Sequence, residues 1–191
     1  MIQRVFIIHR WGGHSEEGWF PWIKNKLRNK GFYVEIPNMP ESDTPIIKTW
    51  LNFLSKKVVT PNESTFFIGH SIGCQTIIRY LQYLKEDQKV GGLILVAPWT
   101  NLTSYESEEE KIIAKPWIET PISWNNVLSH TKKIISIFSD NDPFVSLNEI
   151  NVFKKNLKSK IIIEKNKGHF SGADNIKELP VVLEELLKIL K

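Results

Sequence analysis

Ser71 lies at the centre of Gly69-His70-Ser71-Ile72-Gly73, behind the apolar run 65–68 and ahead of Ile77, Ile78, Leu81 and Leu84 at helical spacing. A strand, a sharp turn and a helix follow from that pattern, and G-x-S-x-G at such a turn pushes the serine hydroxyl out beyond the strand end. A serine hydroxyl is a weak nucleophile unless an imidazole takes its proton and a carboxylate holds that imidazole in the right tautomer. Of the five histidines, His169 follows the last strand pattern between Gly168 and Phe170, where a loop can turn its ring toward Ser71. His70 adjoins the serine and should point elsewhere, His14 and His130 lie away from strand ends, and His9 ends the first strand in a loop better used for backbone donors. The acid comes from Asp140 or Asp142 in Ser139-Asp140-Asn141-Asp142-Pro143. Pro143 restricts the backbone before it and so steadies Asp142, whereas Asp140 suits a turn.

Acyl transfer also needs donors for the developing oxyanion. The backbone N–H of Ile72, opening a helix, is the first expected, and that of Trp11 in His9-Arg10-Trp11-Gly12-Gly13 is the second. Trp11, Trp99 and Trp117 fall in rim segments, where each is expected either to wall an apolar acyl pocket or to pack in the core or on the surface; Trp99 and Trp117 are the pocket candidates. Cys74, just inside the helix behind the turn, reads as a packing residue. As the single cysteine it rules out an internal disulfide and a cysteine-based zinc site. No dinucleotide, P-loop or H-E-x-x-H pattern occurs, so neither a cofactor nor a metal is expected.

The elements that must position these groups alternate. Short apolar runs at 4–9, 32–36, 64–69, 93–97, 133–138 and 161–163 read as buried strands, and amphipathic helical patterns separate most of them. Asp43 with Pro45 suggests a capped helix start, as does a Ser146–Glu149 capping box with a Val145–Ile150 staple. Residues 98–129 read as an irregular excursion with one short helix near 124–128, too small for a separate cap domain. The expectation is one α/β domain over 1–191, about six mainly parallel strands with helices on both faces. His9, Ser71, Asp142 and His169 then share the rim beyond the strand carboxyl ends. The chain order serine, aspartate, histidine is that of the α/β-hydrolase fold.

On these residues the chain resembles the small α/β-hydrolases of the retinoblastoma-binding-protein-nine type, which include many short bacterial serine hydrolases. The matching pieces are the strand into His9, Trp19-Phe20-Pro21-Trp22, Gly69 to Gly73, Lys115-Pro116-Trp117, Asp142-Pro143-Phe144-Val145 and Gly168-His169-Phe170. Many of those proteins carry glycine where this chain has Arg10. The resemblance implies a lidless hydrolase with Ser71, Asp142 and His169 as its triad.

Composition is ordinary for a soluble globular protein. Of 191 residues 41% are hydrophobic and 24% charged, too apolar for disorder. The net charge of +4 is spread among acidic residues, and the lysines of 154–167 are interrupted by an apolar strand, so no nucleic-acid partner is expected. Val5 to Ile8 is too short for a signal-peptide core or membrane span, which points to a cytoplasmic protein without membrane attachment. The expected reaction is hydrolysis of a small carboxylic ester, or an amide or thioester, through a covalent acyl-enzyme. A hydrolase-fold binding or regulatory module with little turnover is the alternative, and a protein partner is left open.

Overall fold

Apolar runs of five or six residues with no polar alternation must be covered on both faces, and parallel strands joined by helices achieve this. The computed structural model describes residues 2–190. Its strands are β1 (Arg4–Ile8), β2 (Tyr33–Glu35), β3 (Thr65–His70), β4 (Gly92–Val96), β5 (Ile134–Ser139) and β6 (Lys160–Glu164). They form one sheet in the order β2-β1-β3-β4-β5-β6, with every neighbouring pair parallel. The expected strands are all present, each within one or two residues of its expected ends. β3, β4 and β5 are buried at every position, whereas the edge strand β6 is only partly covered and exposes Ile163. Each fully buried Phe or Ile of β3 contributes roughly 1.5–3 kcal/mol of transfer free energy.

The helices are α1 (Phe20–Arg28), α2 (Ile47–Val58), α3 (Ile72–Gln82), α4 (Glu108–Glu119), α5 (Trp124–His130), α6 (Glu149–Leu157) and α7 (Pro180–Ile189). The chain leaves β1 toward β2 and returns on the other side of β1 to β3, so the right-handed crossover rule places α1 and α2 on opposite faces. α1 packs beside α7, while α2, α3, α5 and α6 pack in succession. The reversal opens a crevice at the carboxyl ends of β1 and β3, where such sheets bind ligands.

Two expected helix starts form differently. α2 begins at Ile47 with Ile46 in the cap position and no side-chain cap, so Asp43 lies outside the helix start. α6 begins after Asn148, also without a side-chain cap. The Glu149 carboxylate is taken by the Thr100 N–H and hydroxyl, at 2.5 and 2.8 Å, a long-range contact that replaces the local capping box.

The excursion 98–129 is more regular than its sequence suggests. α4 is a three-turn helix capped by Ser107 Oγ, which accepts from Glu110 N–H at 3.2 Å, with three glutamates in the first turn where the helix dipole favours them. Its buried residues are Ala114 and Trp117, and Pro116 sits inside the helix. Arg79 of α3 closes the other end: its guanidinium donates to the carbonyls of Trp117 and Thr120 at 2.7 and 2.8 Å. Those carbonyls belong to the last turn, whose acceptors lack intrahelical donors.

Candidate active site

At the end of β3 the chain must turn at once into α3, and Ser71 takes the strain, with φ 55° and ψ −120°. Ser71 N–H donates to Val96 O at 2.9 Å and Cys74 N–H to Ser71 O at 2.9 Å, pinning the turn to β4 and to the helix. A Cβ at Gly73 would strike the carbonyl of Ile8, and one at Gly69 would lie 2.8 Å from Cys74 Cα, so both positions need glycine to let α3 approach the sheet. Cys74 is fully buried, its thiol facing Val96 O at 3.3 Å, and burial raises its pKa well above the usual thiol value. It packs rather than reacts.

The β5 and β6 loops bring the second and third groups together. Asp142 Oδ1 accepts from the N–H groups of Phe144 and Val145, at 2.9 and 3.1 Å, which leaves Oδ2 aimed at His169 Nδ1, 2.8 Å away. The Asp142 side chain is 1% exposed, so its interaction with the imidazole is shielded from water. Asp140 is exposed, and its carboxylate accepts from Asn166 N–H at 2.8 Å, tying the β5 and β6 loops to each other.

His169 is held by its backbone from two sides. Its N–H donates to Asp174 Oδ2 at 3.0 Å, and its carbonyl accepts from His70 Nε2 at 2.7 Å. Asp174 also accepts from Ser171 N–H and Oγ, and Gly168 at φ +53° has no room for a side chain beside that carboxylate. His70 lies buried against Trp19, Phe20 and His169, and burial drives its pKa well below the ordinary value. Neutral and protonated on Nε2, it is a fixed donor. Neither His70 nor Asp174 stood out in the sequence, because their contacts link segments far apart or depend on a loop conformation; Asp174, five residues after His169, was the one local hint.

The loop after β1 supplies the opposite wall. His9 Nε2 accepts from Met39 N–H at 2.9 Å, so Nδ1 carries the proton and donates to Arg10 O at 2.7 Å. Arg10 is not among the residues with positive φ, so the backbone at this position does not require glycine. Its side chain instead donates to Trp11 O at 2.9 Å and pairs with Glu17 at 3.1 Å. Trp11 is pinned by its indole N–H on Asp43 O at 2.8 Å. Among the described residues, the backbone N–H groups of Trp11 and Ile72 have no backbone acceptor, which leaves both able to donate to a ligand.

A cavity of about 470 Å³ opens above this rim, with Ser71, His169, Trp11, Trp99 and Phe144 in its lining. Trp117 is not in the lining: it is fully buried, donates its indole N–H to Pro45 O at 2.9 Å and packs edge-on against Trp50. Its place on the inner face of α4 turns it toward α2, so of the two roles open to it, pocket wall and packing, it takes packing. Asp43, Glu106, Glu109 and Glu110 also line the cavity, against one cationic side chain, Arg10. Among the described residues Ser71 Oγ forms one hydrogen bond, accepted from the buried Trp99 indole at 3.3 Å, and none to the His169 ring. No group of side chains able to hold a metal ion occurs among the described residues, and no described helix is long and apolar enough to cross a membrane.

This chain is similar over nearly its whole length to YdeN of Bacillus subtilis (strain 168), with 28% identity covering 97% of this chain and 95% of the other. The crystal structure of the B. subtilis ydeN gene product superposes with a TM-score of 0.89 at 26% identity, covering 98% of both chains. A carboxylesterase structure from the thaumarchaeon Nitrososphaera gargenis (TM-score 0.72, 13% identity, 99% and 90% covered) shares the fold. So does Est1E from Butyrivibrio proteoclasticus (TM-score 0.68, 18% identity, 97% and 89% covered). The family model described as serine hydrolase matches residues 5–188, and the chain belongs to that family.

Proposed function

We propose that this serine hydrolase cleaves a small carboxylic ester through a covalent acyl-enzyme, with Ser71 as nucleophile, His169 as general base and acid, and Asp142 orienting His169. The observation that carries the reading is the 2.8 Å contact from His169 Nδ1 to the buried Asp142 Oδ2, with His169 and Ser71 facing one cavity. As Ser71 Oγ attacks the ester carbon, its proton passes to His169 Nε2 and the carbonyl electron pair moves onto oxygen. The N–H groups of Ile72 and Trp11 receive that charge, Ile72 from the first turn of α3. Collapse expels the alcohol, which takes the proton from His169, and water then releases the acid by the same steps in reverse order. The absence of a resting Ser71–His169 hydrogen bond is compatible with this scheme, because such contacts commonly tighten only when substrate fills the site.

Within the family, we place the chain beside the retinoblastoma-binding-protein-nine type on the strength of the shared motifs, acting as one domain in the cytoplasm. Thioesters and amides are secondary candidates. Fluorophosphonate labelling with peptide mapping tests the reading. Stoichiometric modification at Ser71, lost in Ser71→Ala together with aryl-ester hydrolysis, is expected; folded protein that stays unlabelled would favour a binding module.

A further inference from the structure

We infer that the Trp99 indole N–H is a catalytic hydrogen-bond donor to Ser71 Oγ, stabilising the negative charge that grows on that oxygen when its proton leaves. The inference rests on the reading of Ser71 as nucleophile. Trp99 Nε1 lies 3.3 Å from Ser71 Oγ, and Trp99 is 1% exposed, so its indole N–H is shielded from water. An indole N–H can only donate. It therefore occupies a lone pair of Oγ and obliges the serine O–H to point elsewhere, leaving that proton available to His169 in the same cavity.

The donor is held in place from both sides. Ala97 takes a left-handed conformation, φ 48°, and turns the chain out of β4 just ahead of Pro98 and Trp99. The Trp99 carbonyl accepts from the buried Gln75 Nε2 of α3 at 3.0 Å, and Gln75 is in turn fixed by Arg79 Nε on its Oε1 at 3.1 Å. The next residue, Thr100, is clamped by the Glu149 carboxylate of α6. Trp99 follows β4 and Trp11 follows β1, and these strands flank β3 on opposite sides. The indole thus approaches the nucleophile from the side opposite the Trp11 loop and acts on Oγ itself.

A neutral N–H···O bond strengthens as its acceptor becomes charged, and an interaction stronger in the transition state than in the ground state raises kcat rather than lowering KM. The same bond assists when Oγ departs as the acyl-enzyme breaks down. Attack on a fluorophosphonate is a direct readout: the Oγ–P bond forms, fluoride leaves and the serine proton goes to His169.

The test compares wild type, Trp99→Phe and a variant with 3-benzothienylalanine at position 99, in which sulfur replaces the N–H without changing the ring shape. Both variants are expected to react with the fluorophosphonate about tenfold more slowly, with a matching loss of kcat on a short aryl ester and little change in KM. Thermal melting checks that each is folded. Wild-type reactivity in the benzothienyl variant overturns the inference, even if Trp99→Phe is slow, because the ring would then only fill space. Failure of the wild-type protein to label at Ser71 overturns the nucleophile reading itself and the inference with it.

Discussion

His70 Nε2 lies 2.7 Å from the carbonyl oxygen of His169, so the residue before Ser71 holds the backbone of the loop that carries the imidazole. His70→Leu removes the donor and leaves that carbonyl buried without it, an expected loss of about 1–3 kcal/mol in stability. The loosened loop should also lower kcat by roughly tenfold, since misplacing a catalytic group by a fraction of an ångström weakens every contact it makes. Urea unfolding and ester kinetics check both. A variant with normal kcat would show that the His169 backbone is held well enough without His70.

Burial lowers the pKa of His70 well below, and that of His9 below, the 6.5 near which their unfolded counterparts titrate, so both resist protonation in the folded chain. The unfolded state then binds more protons below that pH, and stability present above pH 6.5 is lost as pH falls. Glu149 works in the opposite sense: burial raises its pKa above 4.5, so its penalty at neutral pH is relieved as pH falls toward that value. Denaturant midpoints from pH 7 to 5 should therefore fall in the wild type and fall less in His70→Leu. Equal slopes in the two proteins would contradict a neutral buried His70.

Arg79 is the fastening between α3 and the end of α4. Lysine at this position cannot reproduce donors to the Trp117 and Thr120 carbonyls together with the Nε bond to Gln75. Arg79→Lys is expected to cost about 2–3 kcal/mol, seen as a melting temperature lower by roughly 5–10 °C. Since Gln75 also holds the Trp99 carbonyl, kcat should fall along with stability. Unchanged melting would mean that the α4 carbonyls are as well served by water.

The parts of the fold that were legible in sequence are those written locally. Parallel strands buried on both faces are continuous apolar runs, and the glycines of 69–73 mark a turn whose sterics demand them. α4 was not legible: three successive glutamates and an internal Pro116 obscure its pattern, while its stability comes from buried Trp117 and from Arg79, more than thirty residues earlier. Glu149 misled for the same reason, its carboxylate being taken by Thr100 on another loop. Of the rim tryptophans, sequence could place Trp99 and Trp117 near the strand ends, but which ring faces the cavity depends on how α4 docks.

The carboxylates at the cavity rim should bias selection among esters. Asp43, Glu106, Glu109 and Glu110 face a space whose one lining cation, Arg10, is already paired with Glu17. Exposed charges at such a mouth act weakly one by one, but together they shift local ion concentrations, and salt screens them within about 10 Å at 0.1 M. For matched aryl esters bearing an ammonium or a carboxylate group, kcat/KM should differ by roughly tenfold in favour of the ammonium at low salt, and converge in high salt. The triple change Glu106→Gln, Glu109→Gln, Glu110→Gln should erase most of the difference. No preference at low salt would mean that the reacting ester binds beyond reach of α4.

The two aspartates after β5 are separated by what their carboxylates face. Asp142 Oδ1 is occupied by the Phe144 and Val145 N–H groups, so Oδ2 is the atom left for His169 Nδ1. In Asp142→Asn the amide oxygen keeps those two backbone donors, because the NH2 group cannot accept them. The NH2 then faces His169 Nδ1, which can accept only by giving up its proton, and the ring shifts to the tautomer protonated on Nε2. That tautomer cannot take the serine proton, so kcat should fall by roughly 10⁴ with little change in fold or KM. Asp140→Asn retains an oxygen acceptor for Asn166 N–H at an exposed site, and kcat should stay near wild type with less than about 1 kcal/mol lost in stability. Ester hydrolysis by both folded variants decides between them: a severe loss in Asp140→Asn beside a nearly normal Asp142→Asn would transfer the orienting role to Asp140.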